Sequence, residues 1–119
     1  MTPAIDDAVR AVFAGQPTGL RCYRAVVAAV GPLGPFSVRV SASQVALRRR
    51  RGFAWVWLPG RWLAHPRTEC VLSFALPEPV ESARLAEVVH PSAGTWMHHL
   101  DLPGPETVDD EVRGWLARA

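Results

Sequence analysis

Two stretches near the start of the chain place an apolar residue at every third or fourth position, which is the spacing of a helix with one buried face. The first stretch follows Thr2 and Pro3, a capping residue and a proline suited to the first helical position, and it ends at Gly15. The second begins near Thr18 and ends at Gly31–Pro32. The apolar stripes are Ile5, Val9, Val12 and Phe13 in the first stretch and Leu20, Tyr23, Val26, Val27 and Val30 in the second.

From Phe36 onward the apolar period changes to two, which predicts half-buried β-strands. Strands 44–49 and 53–58 form a predicted hairpin whose tip is the run Arg48–Arg51, with Gly52 expected to supply a positive φ there. Residues 82–89 are ambiguous between a short helix and an irregular crossover. The predicted strands are 36–40, 44–49, 53–58, 69–76 and 95–102.

The chain closes with a predicted helix for which Thr107 and Asp110 suggest a start resembling a capping box. Its apolar positions lie on one face, at Val108, Val112, Trp115 and Leu116. The predicted fold class is therefore α+β: two N-terminal helices, an antiparallel sheet of about five strands and a C-terminal helix. We expect one domain, 1–119, with the helices mainly on one sheet face.

The strand FAWVWL, residues 53–58, has no polar face. Phe53, Trp55 and Trp57 alternate with small or aliphatic residues, and three helices can cover only one face of such a sheet. Small aliphatic side chains suit close helix packing, so we expect the aromatic set to line an exposed face that binds a ligand or a partner.

Composition narrows the function classes. Hydrophobic residues make up 49% of the chain and charged residues 20%, which is typical of a globular protein, and the net charge is only +2. Such a small positive surplus argues against a nucleic-acid-binding protein, because phosphate binding needs a concentrated positive face. Cys22 and Cys70 form no C-x-x-C pattern, so neither a zinc ribbon nor a disulfide framework is indicated. The acidic N-terminus lacks the features of a signal peptide, and the expectation is a cytoplasmic protein without a cofactor.

Three stretches carry a family resemblance: RGFAWVW at 51–57, WMHHLDL at 96–102 and DDEVRGWLARA at 109–119. Through them the chain resembles an uncharacterised bacterial domain family of unknown function, found in actinobacteria, some members of which are labelled predicted transport protein. The resemblance covers most of residues 20–119 and implies no activity or catalytic residue. The family commonly carries a lysine before the hairpin, where this chain has SASQ at 41–44.

His98 and His99 are adjacent in a predicted strand, so their side chains point to opposite faces and cannot both bind one metal ion. His98, on the side shared with Trp96, is the candidate for a hydrogen-bonding or titrating group in a pocket. The alternative is a satisfied core histidine beside a solvated one. Catalytic serine and phosphate-loop motifs are missing from the sequence, so a catalytic role centred on His98 ranks last.

The arginine run leaves three interpretations open: a solubilising hairpin tip, a site for an anionic small molecule or peptide, and a single-stranded nucleic-acid site with tryptophans stacking on bases. The favoured hypothesis is a non-catalytic module that binds a small organic or anionic ligand or a protein partner, including a second copy of the chain. Nucleic acid is the alternative and a membrane is not expected. The predicted ligand-binding residues are Phe53, Trp55, Trp57, Arg49, Arg51, Trp96 and His98.

Overall fold

The structure is a computed structural model that describes residues 6–119. Within them, three α-helices accompany one antiparallel sheet of six strands, so the predicted α+β class is confirmed. The elements are α1 (Asp7–Val12), α2 (Pro17–Val30), β1 (Ser37–Val40), β2 (Gln44–Arg48), β3 (Gly52–Trp57), β4 (Cys70–Leu76), β5 (Glu87–Ser92), β6 (Thr95–Leu102) and α3 (Asp110–Arg118).

The two N-terminal helices follow the predicted apolar stripes. The Asp6 carboxylate caps α1 by accepting a hydrogen bond of 3.0 Å from the Val9 N–H. The cap predicted at Thr2 lies outside the described residues. Gly15 follows the helix with a φ of 75°, a conformation that glycine adopts without strain. Helix α2 ends at Val30, directly before Gly31–Pro32, as predicted.

The strands are arranged in the order β1-β2-β3-β4-β6-β5, with every neighbouring pair antiparallel. The expected count of about five strands omitted β5, because the prediction for 82–89 was a helix or a crossover. In the structure an irregular segment leads into β5, and this strand pairs with β6 alone at the edge of the sheet. Its proline, Pro91, fits an edge position because proline has no N–H for a second neighbour.

All three helices lie on one face of the sheet, as expected, and the hydrophobic core fills the space between the helices and the sheet. Helices α2 and α3 contact β4, while α1 contacts β1 and β2. The sheet contributes alternate residues to this core, among them Val45, Leu47, Ala54, Val56, Leu72, Phe74 and Leu100.

The last helix begins at Asp110, and its cap lies two residues after the predicted one at Thr107. Asp109 is the N-cap and accepts from the Val112 N–H at 3.2 Å. The Arg84 guanidinium binds both Asp109 and Glu111, at 3.1 and 2.7 Å, and donates to the Thr107 carbonyl at 3.0 Å. This cluster ties the irregular segment before β5 to the start of α3.

The opposite sheet face carries none of the described helices, and the strand register aligns its side chains in two rows. The first row runs Ala46, Trp55, Ser73, His99 and Glu87 across β2, β3, β4, β6 and β5. The second row runs Gln44, Trp57, Val71 and Asp101. We refer to this surface as the open face.

The β2–β3 hairpin has the predicted arginine tip but a different role for Gly52. Its φ is not positive, because the positive-φ glycines among the described residues are Gly15, Gly34 and Gly94. Instead the Trp55 indole lies against Gly52, where an added Cβ would come within 2.7 Å of the Trp55 Cζ2 atom. Gly52 is therefore needed for the close approach of this ring rather than for the turn.

Candidate functional site

Two adjoining cavities lie on the open face. The larger has a volume of about 510 Å³, and the smaller of about 260 Å³ shares Trp57 and His99 with it. Strands β3, β4 and β6 supply the floor of the larger cavity, and the segment between β3 and β4 supplies one wall. The larger cavity is lined by Trp57, Pro59, Leu63, His65, Arg67, Val71, Ala86, Glu87, His99 and Asp101, and the smaller also by Gln44, Trp55, Ser73 and Met97.

A chain of two hydrogen bonds joins side chains from three strands at the floor of these cavities. The Trp57 indole N–H donates to the Ser73 Oγ atom at 2.8 Å, and that hydroxyl lies 2.6 Å from the His99 Nδ1 atom. The register that pairs Ser73 with His99 across β4 and β6 places them side by side. Ser73 is only 4% exposed, whereas Trp57 and His99 are half-buried. The chain therefore runs from a buried centre to two side chains that a ligand can reach.

The direction of these hydrogen bonds fixes the tautomer of His99. An indole nitrogen only donates, so Ser73 must accept from Trp57. Among the described residues, the His99 Nδ1 atom is then the sole acceptor placed for the Ser73 hydroxyl hydrogen. A buried hydroxyl without an acceptor would cost about 1–3 kcal/mol. Ser73 thus donates to Nδ1, and the neutral His99 ring carries its hydrogen on Nε2.

The surroundings of His99 keep it neutral at pH 7. Burial lowers the pKa of His99, and the neighbouring His98 acts in the same direction, while the Glu87 carboxylate opposes them. The Nε2–H group has no hydrogen-bond partner within residues 6–119. The site therefore presents an uncharged, unused donor at the cavity.

The charged side chains at the cavity differ in their pairing. Arg67 contacts Asp101 with 3.1 Å between Nε and Oδ2, so their charges largely cancel. Glu87 also lines the cavity but forms no ion pair with any described residue. The register pairs Glu87 with His99 across β5 and β6, and the Glu87 carboxylate acts to raise the pKa of His99, so the two side chains are neighbours. The unbalanced charge at this cavity is negative.

The structure brings two of the sequence-predicted site residues to the cavities. Trp57 lines both and Trp55 lines the smaller one. Phe53 is 7% exposed and belongs to the hydrophobic core, with the Arg49 guanidinium 4.4 Å above its ring. Arg49 and Arg51 are exposed at the hairpin and line neither cavity. The expected arginine rim is thus replaced at the larger cavity by Arg67.

His98 lies on the core face, away from the open face. Its side chain is fully buried, its Nδ1–H donates to the Trp96 carbonyl at 3.1 Å, and its Nε2 atom accepts from the Val80 N–H at 2.9 Å. Its ring stacks on Phe74 with 5.0 Å between the ring centroids. Both nitrogens of His98 already have backbone partners. The Trp96 ring, likewise outside the cavities, stacks on His90 with 3.9 Å between centroids.

Ser73, His99, Glu87 and Arg67 were absent from the sequence-based set of site residues. Alternation along each strand could have identified Ser73 and His99. If Trp55 and Trp57 face outward, the residues aligned with them in β4 and β6 face outward too. Glu87 could not be placed, because β5 was not recognised as a strand. Arg67 lies in a segment without periodicity.

The part of the chain that the structure describes has neither a metal centre nor a membrane-spanning helix. Residues 6–119 contain no group of three or more His, Cys, Asp or Glu side chains placed to hold a metal ion. Across the same residues, every helix is too short or too polar to cross a membrane.

Comparison with known proteins assigns a family. The model of a family described as a domain of unknown function, DUF5655, matches residues 9–119, and the chain belongs to that family. The comparison with curated proteins found no match, and neither did the comparison with solved structures. The resemblance to a domain family of unknown function is thereby confirmed.

Proposed function

We propose that this family member is a non-catalytic binding module that takes a small organic ligand on the open face. The observation that carries the proposal is the Trp57–Ser73–His99 chain at the floor of the cavities. The Ser73 hydroxyl at its buried centre has both hydrogen-bond partners, and the Nε2–H of half-buried His99 is a donor without a partner among the described residues. A ligand pocket combines an apolar lining with a few oriented polar groups in the same way.

The arrangement favours binding over catalysis. A nucleophilic serine must reach its substrate, whereas Ser73 is 4% exposed and its Oγ atom lies between Trp57 and His99. His99 uses Nδ1 to accept from Ser73 and holds a hydrogen on Nε2, so neither nitrogen of the neutral ring is available as a base. Ser73 therefore acts as a support for the two side chains that contact the ligand.

A tryptophan pair tests this proposal. Trp57 lines both cavities, while Trp62 is 72% exposed and lines neither. We expect fragments found by ligand-observed NMR against the wild-type protein to lose about tenfold or more in affinity in Trp57→Leu, because Trp57 lines both cavities and is the largest apolar side chain at the larger one. The Trp62→Leu variant should keep wild-type affinity.

Circular dichroism of both variants would establish that they fold. The proposal fails if folded Trp57→Leu binds every fragment with wild-type affinity, or if no fragment binds in this cavity. A second copy of the chain seated on the open face would appear as a concentration-dependent dimer in sedimentation and would exclude the fragments.

A second candidate function is single-stranded nucleic-acid binding, and the hairpin geometry is what favours it. Arg49, Arg50 and Arg51 are exposed, and none of them forms an ion pair with a residue in 6–119. The Trp55 ring lies against Gly52, the residue that follows Arg51 in the sequence. Arginines beside an aromatic ring provide phosphate contact and base stacking.

Salt dependence tests this second function. Binding of a short oligonucleotide should weaken by about 0.7 log units per log unit of salt for each phosphate contacted on a single strand. Replacing Arg50 and Arg51 by Ser should flatten that slope while leaving the unfolding midpoint unchanged. Affinity that is insensitive to salt would exclude the hairpin as a phosphate site.

A further inference from the structure

We infer that the ligand of the open face is a planar heterocycle whose edge carries a carbonyl next to an N–H, that is, a lactam edge. This inference rests on the proposed function and specifies its ligand class. Three groups at the larger cavity determine it: a donor on His99, an acceptor on Glu87 and the indole of Trp57.

The donor follows from the hydrogen-bond chain. Because Ser73 donates to Nδ1, His99 offers only Nε2–H to the cavity. A ligand group that meets this atom must therefore be an acceptor. A carbonyl oxygen satisfies it, while an amine, an ammonium group or a second N–H does not.

The acceptor is the cross-strand neighbour of that donor. Glu87 and His99 are directly paired in the register of β5 and β6, which places their side chains about 5 Å apart on one face. Glu87 has no ion-pair partner among the described residues and accepts hydrogen bonds only. A donor and an acceptor side by side are complementary to a C=O and an N–H that are adjacent in one ring.

The flat shape follows from the tryptophan. Trp57 is half-buried, its nitrogen is held by Ser73, and its ring stands nearly perpendicular to the His99 ring, at 82° with 6.1 Å between centroids. A ring that lies on the indole then presents its edge to its polar neighbours, as offset aromatic stacking requires.

The charges argue against an anionic ligand. Asp101 already pairs with Arg67, which leaves the Glu87 carboxylate as the unbalanced charge. A carboxylate or phosphate placed between His99 and Glu87 would be repelled by it. A neutral lactam accepts from the one side chain and donates to the other without that repulsion.

Three bicyclic probes that differ by one group test the inference. 2-Quinolone carries both the C=O and the N–H, N-methyl-2-quinolone lacks the N–H, and indole keeps an N–H but lacks the C=O. We expect 2-quinolone to bind at least about tenfold more tightly than either analogue, because each analogue leaves one protein group without a partner. Affinity is read from shifts of the Trp57 indole resonance.

Variants assign the two hydrogen bonds. Glu87→Ala should remove the preference for 2-quinolone over the N-methyl analogue, and His99→Phe should remove the preference for the carbonyl. Glu81→Ala is the control, because Glu81 is an exposed glutamate outside both cavities. It should leave all three affinities unchanged.

The outcomes separate this inference from the proposed function. Equal binding of all three probes that still depends on Trp57 would overturn the lactam edge and leave the binding module intact. Preference for 1-naphthylmethylamine, lost in Glu87→Ala, would overturn it in favour of a cationic ligand. Binding that is indifferent to Trp57 would overturn both.

The same lactam edge occurs on free heterocycles and on uracil or guanine within a single strand. Uridine and a uridine tetramer, compared at about 50 and 200 mM salt, distinguish these sources. A tetramer that binds more tightly than uridine and weakens steeply with salt assigns the ligand to a nucleic acid. Equal affinities that do not respond to salt assign it to the free ring.

Discussion

Ser73 organises the open face although it is itself almost inaccessible. It is one of two buried polar residues among the described residues, the other being His98. Its hydroxyl accepts from Trp57 and donates to His99, so one small side chain fixes two ligand-facing rings. A side chain that is locked by packing and hydrogen bonds in this way preorganises a site, which lowers the entropic cost of binding.

Replacing Ser73 by Ala should therefore affect both stability and the acid–base behaviour of His99. Trp57 and His99 lose their shared partner at the buried centre, which costs about 1–3 kcal/mol of the free energy of unfolding. The hydrogen bond from Ser73 favours neutral His99, so its loss should raise the pKa of His99. Urea denaturation measures the first effect and an NMR titration of the His99 ring protons measures the second.

Ser41 provides the matched control, because it is exposed and its hydroxyl reaches only the Gln44 carbonyl, at 3.4 Å. Ser41→Ala should change the free energy of unfolding by less than about 0.5 kcal/mol and leave His99 unaffected. An unchanged titration of His99 in Ser73→Ala would contradict the assigned tautomer.

At the scale of elements, the sequence predicts a strand when the residues on its two faces differ, either in burial or in the type of side chain. In β3 the small residues Ala54 and Val56 are buried under the helices, and Trp55 and Trp57 are half-exposed, as the alternation predicted. Phe53 departs from that pattern because the register shifts between Leu47 and Arg48, at the end of the hairpin. A bulge of this kind re-aims a side chain and leaves no trace in the period.

Strand β5 was not predicted, for a related reason. Its sequence EVVHPS has no period of two, and a proline lies within it. It forms because β6 offers a long strand to pair with, which is a tertiary effect that local propensity does not contain. Because β5 was not predicted, Glu87 was not predicted as a hydrogen-bond acceptor at the site. Glu87 reaches the site only through the pairing of β5 with β6.

The histidines illustrate the limit at the same scale. Alternation correctly placed His98 and His99 on opposite faces, but their environments depend on which face the helices cover. His98, grouped in the sequence with Trp96 and Leu100, follows Leu100 into the core, and His99 follows Ser73 to the open face. The sequence could predict which residues share a face of the sheet. Which of the two faces a ligand can reach depends on where the helices pack, and the period does not contain that information.

For the molecule as a whole, both of these histidines make stability depend on pH. The pKa of His98 is lowered chiefly by burial, and burial also lowers that of His99. Both folded-state pKa values therefore lie below the ordinary value of 6.5 that each group regains on unfolding. Between these values the unfolded chain binds protons that the folded protein does not.

We therefore expect the free energy of unfolding to be at its plateau above pH 6.5 and to fall as the pH decreases toward the folded-state pKa values. Each histidine contributes a slope of at most about 1.4 kcal/mol per pH unit. Urea denaturation at intervals between pH 7.5 and 5 measures the slope, above the range in which most carboxylates titrate.

The variants His98→Gln and His99→Gln should each make that slope shallower, because each removes one group whose protonation differs between the two states. His98→Gln should also lower the plateau, since glutamine cannot reproduce both backbone hydrogen bonds and the stacking on Phe74. The double variant should be nearly flat over this range. A slope that neither single variant reduces would contradict a neutral histidine on each side of the sheet, and a slope that persists in the double variant would mean that other groups link folding to pH.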